Sequence, residues 1–241
     1  MKRSIILGVA LFLANLSFSQ VEVGFKLGYT NSGRTNTEDS EFASSKRISG
    51  LHLGIVGQFQ LTPKMAIALE IDLQQKGESQ EISITSLGGQ QTYDTKYTIN
   101  YLEVPLLFRY TVGSETRIYL NAGPFVGYAL GGKIKGESTV NGQTILADGN
   151  IKYGVAPDNY TGNDFYDNDT YNRLEVGIYL GGGILKELGV GSLILDARFG
   201  IGLTDTNDPD EIYPNGKPEG YISNRFNDII ISVGYLFPLG G

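Results

Sequence analysis

The chain has 241 residues, a formal net charge of −7 and no cysteine. The length suits a single domain. The acidic balance argues against nucleic acid as a partner and against docking on anionic lipid from solution. Without cysteine, the sequence excludes disulfides, a lipid-anchored cysteine and metal sites built from thiols.

The first residues have the three parts of a secretory signal peptide. Lys2 and Arg3 give a positive start, residues 5–13 form an apolar core, and serines stand at positions −3 and −1 of a cut before Gln20. These features predict a cleaved signal peptide over residues 1–19. The alternative is a membrane anchor, which would need an apolar run of about 20 residues, longer than this core.

After the predicted cut, the chain consists of segments in which apolar and polar residues alternate. A period of two places one set on each face of an extended strand. Eight such strands are predicted, over residues 21–30, 50–60, 65–76, 97–110, 118–130, 173–180, 193–203 and 229–237. The pattern of the third strand can continue as far as residue 85.

The connections between these strands are alternately long and short. Tight turns are predicted over residues 61–64, 112–116 and 186–192, and long polar loops over residues 31–49, 87–94, 131–171 and 204–225. This asymmetry is typical of outer-membrane barrels, with short turns in the periplasm and long loops outside. An even number of strands also closes the sheet without an unpaired edge in lipid. The predicted fold is all-β, an eight-stranded antiparallel up-and-down transmembrane β-barrel.

The segment 101–110 shows the two faces of a strand most clearly. One face carries Leu102, Val104, Leu106, Phe108 and Tyr110, and the other carries Glu103, Pro105, Leu107 and Arg109. Pro105 would break a helix, and it cannot donate to a strand ladder. The sequence therefore predicts a strand with a bulge at Pro105.

The composition of the two faces indicates which one points outward. The apolar face is bulky and carries tyrosines toward the strand ends, at Tyr29, Tyr110, Tyr128 and Tyr235. This pattern fits a lipid-facing band with aromatic girdles. The other face mixes glycine with charges of both signs, which suits the narrow interior of a small barrel. A soluble lipocalin-like periplasmic barrel, with its apolar face inward, is the alternative.

The charged residues of the second face would then point into the lumen. They are Lys26, Glu70, Asp72, Glu103, Arg109, Arg173, Glu175, Asp196 and Arg198. Because buried charges must be paired, we predict a network of salt bridges and hydrogen bonds that fills the lumen. A proton or ion path through the same residues is the alternative.

No motif in the sequence predicts catalysis or a cofactor. His52, the single histidine, lies near Ser49 on a strand end, but no acidic partner can be placed beside it. Residues 164–169 contain Asp164, Asp167 and Asp169, which could hold a hard cation but lack the glycine and distal glutamate of an EF-hand. Residues 181–183 are three glycines without the helix and Lys-Ser/Thr of a phosphate loop, so they indicate barrel packing.

Several segments resemble one known family. The sequence YLEVPLLFRY at residues 101–110 is similar to the central strand motif of PorT-like outer-membrane β-barrel proteins. Further resemblances lie at residues 24–28, 123–128, 181–183 and 234–237. The resemblance implies an integral outer-membrane protein, and the named member of the family is linked to a system that secretes proteases and adhesins.

These observations together predict a barrel domain over residues 20–241 in the bacterial outer membrane. The expected function is non-enzymatic, a structural or interaction role with a side-chain-filled lumen and no cofactor. An accessory barrel of a protein secretion system is the alternative, and a soluble binding barrel is a further one. The expected partners are outer-membrane lipid and proteins that bind the extracellular loops, and not nucleic acid.

Overall fold

The protein is described from a computed structural model. The structure describes residues 21–35, 43–86, 89–140, 143–158, 161–167, 171–207, 216, 218–219 and 221–239. The predicted signal peptide, residues 1–19, lies outside the described residues. Within the described residues, no helix has the length and hydropathy needed to cross a membrane.

The described part of the chain contains ten strands. They are β1 (Val21–Arg34), β2 (Ala43–Thr62), β3 (Met65–Ser86), β4 (Gly89–Val112), β5 (Thr116–Val140), β6 (Gln143–Tyr153), β7 (Phe165–Asp167), β8 (Leu174–Leu188), β9 (Gly191–Gly202) and β10 (Phe226–Leu239). Neighbouring strands pair antiparallel except for the short parallel contact of β6 with β7.

Eight of these strands close into a ring, in which β4 pairs with β5 and β1 pairs with β10. The ring contains β1 to β5 and β8 to β10, each beside its neighbour in sequence apart from the step from β5 to β8. The predicted eight-stranded antiparallel barrel is therefore confirmed. Full closure removes the unpaired edges that an open sheet would present to lipid.

The strands extend further at the long-loop end than the sequence predicted. The predicted loop over 131–171 contains the end of β5, all of β6 and β7, and parts of the loops over 31–49 and 87–94 are also strand. The predicted loops were wrong there because polar residues on the outer face hid a strand pattern. Beyond the ring, β5 leaves β8 and pairs with β6 over Gly132–Val140.

The predicted bulge at Pro105 is wrong. Pairing of β4 with β3 is interrupted between Leu106 and Glu103, but it resumes in the same register. Pro105 thus removes a donor without adding a residue to the strand. The register shift between β4 and β5 lies instead at Asn100 and Tyr101.

The outer wall of the ring is apolar. Phe25, Ile55 and Leu120 are 56%, 66% and 68% exposed, and the apolar residues of the other ring strands also face outward. The alternating residues, such as Lys26 and Glu70, are buried inside the ring. A soluble carrier would have the opposite arrangement, with its apolar face lining a cavity. The lipocalin-like alternative is therefore wrong.

Candidate functional site

The lumen is filled by two ionic clusters, stacked along the barrel. The lower cluster, toward the short turns, contains Lys26, Glu70, Asp196 and Arg198, and the upper cluster, toward the long loops, contains Lys76, Glu103, Glu175 and Asp228. All eight residues are buried. They come from strands on opposite sides of the ring, so their contacts connect the walls across the lumen.

In the lower cluster, two cations share one carboxylate. Arg198 donates two parallel hydrogen bonds to Glu70, at 2.7 and 2.8 Å, and its Nε lies 2.5 Å from Asp196. Lys26 Nζ lies 2.5 Å from the same Glu70 carboxylate. Tyr119 and Asn121 also donate to Asp196. The fork of an arginine matches a carboxylate geometrically, so this cluster fixes the direction of both side chains.

In the upper cluster, one cation serves three carboxylates. Lys76 Nζ lies 2.7 Å from Glu103, 2.9 Å from Asp228 and 3.1 Å from Glu175. Tyr179 donates to Glu103 at 2.5 Å. The ammonium group also lies 4.7 Å from the ring centre of Phe125, within range of a cation–π interaction. Lys76 therefore holds this level of the lumen together.

His52 and Asp72 lie inside the lumen beside these clusters. His52 Nε2 is 4.0 Å from the Asp72 carboxylate, and both residues are fully buried. None of their side-chain nitrogen or oxygen atoms has a hydrogen-bond partner among the described residues. The sequence places His52 on the luminal face near the long-loop rim, as a hydrogen-bonded or solvated side chain. The structure has it on the luminal face, but buried. Ser49 instead contacts Tyr29 on the outer face, so the histidine and this serine do not meet.

The short-turn end of the lumen is closed by a third group of contacts. Arg109 donates to Gln58, and Gln58 donates to Glu22 at 2.6 Å. The Arg109 guanidinium stacks 4.1 Å from the ring centre of Tyr119. Leu185, Ile194 and Leu236 pack in the same region and are almost completely buried.

Glycine provides the room for the aromatic rings of the lumen. A Cβ atom at Gly183 would lie 2.7 Å from Cζ of Tyr119, and one at Gly177 would overlap the ring of Phe125. Phe125 in turn stacks on Tyr179, with ring centres 4.4 Å apart. The three glycines at residues 181–183 stand in a strand, as the barrel-packing interpretation of the sequence requires.

Most of the charged residues predicted to face the lumen are buried there. Arg173 is the exception, because its guanidinium lies 4.5 Å from the ring centres of both Tyr128 and Tyr153, outside the clusters. Its backbone pairs with Ala129 where β8 begins, and there the side chain turns toward the tyrosines.

Two members of the upper cluster were missed by the sequence analysis. Lys76 lies at the end of a predicted strand, and Asp228 lies just before the start of another. Both continue the alternation of their strands, Lys76 after Gln74 and Asp228 before Ile230. Extending that alternation by one step would have found them.

The acidic segment 164–169 does not gather its carboxylates. Asp164 contacts Lys152 at 2.6 Å, and Asp167 accepts a hydrogen bond from the backbone of Tyr171. Asp169 lies outside the described residues. In the described part of the chain, no group of three acidic, histidine or cysteine side chains is arranged to hold a metal ion.

A small cavity of about 70 Å³ lies above the upper cluster. Arg34, Tyr97, Tyr153 and Tyr171 are among its lining residues, and Arg34 contacts Glu78 at 3.2 Å. Burial raises the pKa of Tyr153 to about 12, so its phenol stays neutral. Below the cavity, an apolar layer formed by Ile99, Tyr101, Ile151 and Phe226 separates it from the ionic clusters.

A closed ring with an apolar exterior and a polar, filled interior defines the protein as a transmembrane β-barrel. The chain belongs to the family described as the outer membrane protein beta-barrel domain, whose model matches residues 14–208. The protein is therefore located in the bacterial outer membrane, with its short turns in the periplasm and its long loops outside. No curated protein sequence matches the chain.

Solved outer-membrane proteins have a similar chain path but little sequence in common. Neisserial surface protein A is 8% identical, with 91% of this chain and 97% of that chain covered and a TM-score of 0.46. OprG from Pseudomonas aeruginosa is 12% identical, with coverages of 91% and 97% and a TM-score of 0.42. Ail, the attachment invasion locus protein of Yersinia pestis, is 12% identical, with coverages of 90% and 99% and a TM-score of 0.39.

Proposed function

We propose that this protein is a non-enzymatic outer-membrane anchor that presents its extracellular strands to protein partners. The observation that supports this role most directly is the filled lumen. Ion pairs join opposite walls at two levels, and an apolar layer lies above them. An eight-stranded ring has an interior just wide enough for such side chains. The functional surface is then the part of the chain outside the membrane.

A planar-bilayer recording of the purified protein tests the closed lumen. A side-chain-filled barrel should give no large, stable conductance, whereas a porin recorded in the same membrane serves as the positive control. Large and stable conductance steps would overturn the proposal and favour the ion path along Lys26, Glu70 and Lys76.

The non-enzymatic role is supported by the surroundings of His52. A catalytic base needs a nucleophile or activated water within reach, but His52 is buried in the lumen and Ser49 of the same strand contacts Tyr29 on the outer face. A His52→Ala variant should therefore leave unchanged any hydrolytic activity measured on lipid or peptide substrates. Loss of such an activity, with the barrel still folded, would contradict this part of the proposal.

Export of the chain is part of the same proposal. We infer that residues 1–19 are removed as a signal peptide and that residues 20–241 form the barrel domain. N-terminal sequencing of the protein from purified outer membranes should begin at Gln20. A start at Met1 in the mature protein would contradict the cleavage.

A role as an accessory barrel in protein secretion is a second candidate, supported by the resemblance of residues 101–110 to PorT-like proteins. Deletion of the gene separates the two roles. Loss of export of secreted proteins, restored by the intact gene, would favour the secretion role. Normal export after deletion favours the anchor.

A further inference from the structure

The extracellular ends of β3, β4, β5 and β6 form a sheet, called here the extracellular sheet, that stands above the barrel. We propose that the outer edge of β6 binds an extended segment of a partner protein, which adds to this sheet as a further strand. This inference rests on the proposed interaction role and names the surface that performs it. Backbone groups at a sheet edge supply the hydrogen bonds, and alternate side chains supply the specificity.

Within the described residues, the edge of β6 that faces away from β5 is unpaired over residues 143–148. One side of β6 pairs with β5 from Gln143 to Ile151. On the other side, β7 pairs only with Ile151–Tyr153, and Asp164 accepts a hydrogen bond from the backbone of Asn150. Among the residues that the structure describes, none pairs with the other side of residues 143–148. An exposed edge of this kind is a template for another strand.

A row that is apolar except for Ser138 leads across the sheet to this edge. Ile82, Tyr93, Ser138 and Ile145 lie opposite one another on β3, β4, β5 and β6. They are on the inner face, which is continuous with the lumen. Ile145 ends the row and is 67% exposed. No lipid covers this surface, because it stands outside the membrane, so an apolar side chain of a partner strand would gain a contact beside Ile145.

A charged row leads to the same edge on the outer face. Lys96, Lys135 and Asp148 lie opposite one another on β4, β5 and β6. Asp148 has a lysine on one side and the open edge on the other. A basic residue on the partner strand would pair with Asp148 from its open side. The occupant is therefore an extended segment with a basic residue opposite Asp148 and an apolar residue opposite Ile145, on alternate faces.

A second copy of this chain fits the edge poorly. Two copies in one membrane are related by an axis along the membrane normal, which runs along the barrel wall and not across it. Such an axis places the inner face of one sheet beside the outer face of the other. Asp148, on the outer face, would then lie beside the inner face of the other copy's β6, which carries no charged residue from Gln143 to Tyr153. Its charge would have no partner there, so the symmetry favours a different protein.

A synthetic peptide provides a defined probe. Residues 133–140 already pair with β6 as part of β5, with Lys135 opposite Asp148 and Ser138 opposite Ile145. The probe is this sequence with Ser138→Ile, labelled with a fluorophore, and its control is a scrambled peptide of the same composition. Binding is measured by anisotropy to the full chain in nanodiscs, and amide hydrogen exchange reports on residues 143–148.

Two variants of neighbouring residues form a matched pair. Ile145 and Leu146 are both largely exposed on β6, at 67% and 72%, but they lie on opposite faces. Ile145→Lys should weaken binding of the probe about tenfold, through loss of one buried apolar side chain. Leu146→Lys should leave the affinity within about twofold, since it changes the outer face.

The expected result is saturable binding that slows exchange at residues 143–148 and is sensitive to Ile145→Lys alone. Absence of saturable binding, equal effects of the two variants, or equal binding of the scrambled peptide would overturn the inference. None of these results changes the bilayer recording, so the closed anchor and the edge are tested separately. A dimer of the unliganded protein in nanodiscs that is broken by Ile145→Lys would also overturn the choice of a foreign partner.

Discussion

The membrane barrel and the extracellular sheet share three strands but have opposite polarity. Along the outer face of β3, the apolar series ends at Leu73 and polar residues begin at Gln75. Along its inner face, charged residues end at Glu78 and apolar residues begin at Ile82. Strand β4 changes in the same way, with Leu102 and Asn100 on either side of the boundary.

The difference shows that a period of two predicts a strand but does not tell which of its two faces points outward. Within the membrane, lipid solvates the outer face and the closed ring forces polar groups to pair inside. Above the membrane, water solvates the outer face and the apolar residues turn toward the mouth. Strand β3 makes this exchange without a change in its register with β4, whereas its pairing with β2 shifts by one residue between Arg47 and His52.

The largest expected effect is on the membrane side of this comparison. Lys76→Met removes the cation that contacts three buried carboxylates and should destabilise the barrel by about 3–5 kcal/mol. The matched change Lys135→Met, on the exposed outer face of the extracellular sheet, should cost within about 0.5 kcal/mol. Equilibrium unfolding in urea, read by the heat-modifiable gel shift, measures both. Equal costs would contradict the upper cluster as a structural centre.

A smaller effect is expected from a charge placed on the lipid face. Leu69 is the third of five outward apolar residues of β3, Met65 to Leu73, and so lies near the centre of the band. Leu69→Arg should cost about 2–4 kcal/mol in liposomes. Ser83→Arg, on the outer face of the same strand above the membrane, should be close to neutral. If Leu69→Arg left the stability unchanged, Leu69 would not lie in the lipid-facing band of β3.

The smallest expected effect concerns the contact that attaches β6 to the segment before β7. The hydrogen bond from Lys152 holds the pKa of Asp164 well below its usual range. The carboxyl group of Asp164 binds protons more readily in the unfolded chain than in the folded one. The contact therefore contributes its full stability above the ordinary pKa of about 4, and this stability is lost as the pH falls through the lower pKa of the folded state.

Hydrogen exchange at the Asn150 amide, which donates to Asp164 at 2.9 Å, reports on this contact. Protection should persist from neutral pH down to about pH 4 and decrease only in stronger acid. Asp164→Asn should reduce it at every pH, whereas Asp148→Asn should leave it unchanged. Protection that already falls near pH 6 would contradict the lowered pKa.

The sequence predicted the barrel well because each membrane strand repeats one signal many times. It predicted the extracellular sheet poorly, because residues such as Lys133, Lys135 and Glu137 look like a polar loop. Their strand exists because β4 and β6 pair on either side of them, and alternation within one segment does not reveal these contacts. Arg173 was misplaced for a similar reason, since Tyr153, one of the rings on which it stacks, comes from β6.

The change of polarity along β3 can be tested directly, because the chain has no cysteine of its own. Single cysteines at outward positions from Ile67 to Ser83 are treated with a membrane-impermeant maleimide in intact cells. We expect no labelling up to Leu73 and full labelling from Gln75 onward. Labelling at every position, or protection that continues to Ser83, would contradict a membrane boundary at this point of the strand.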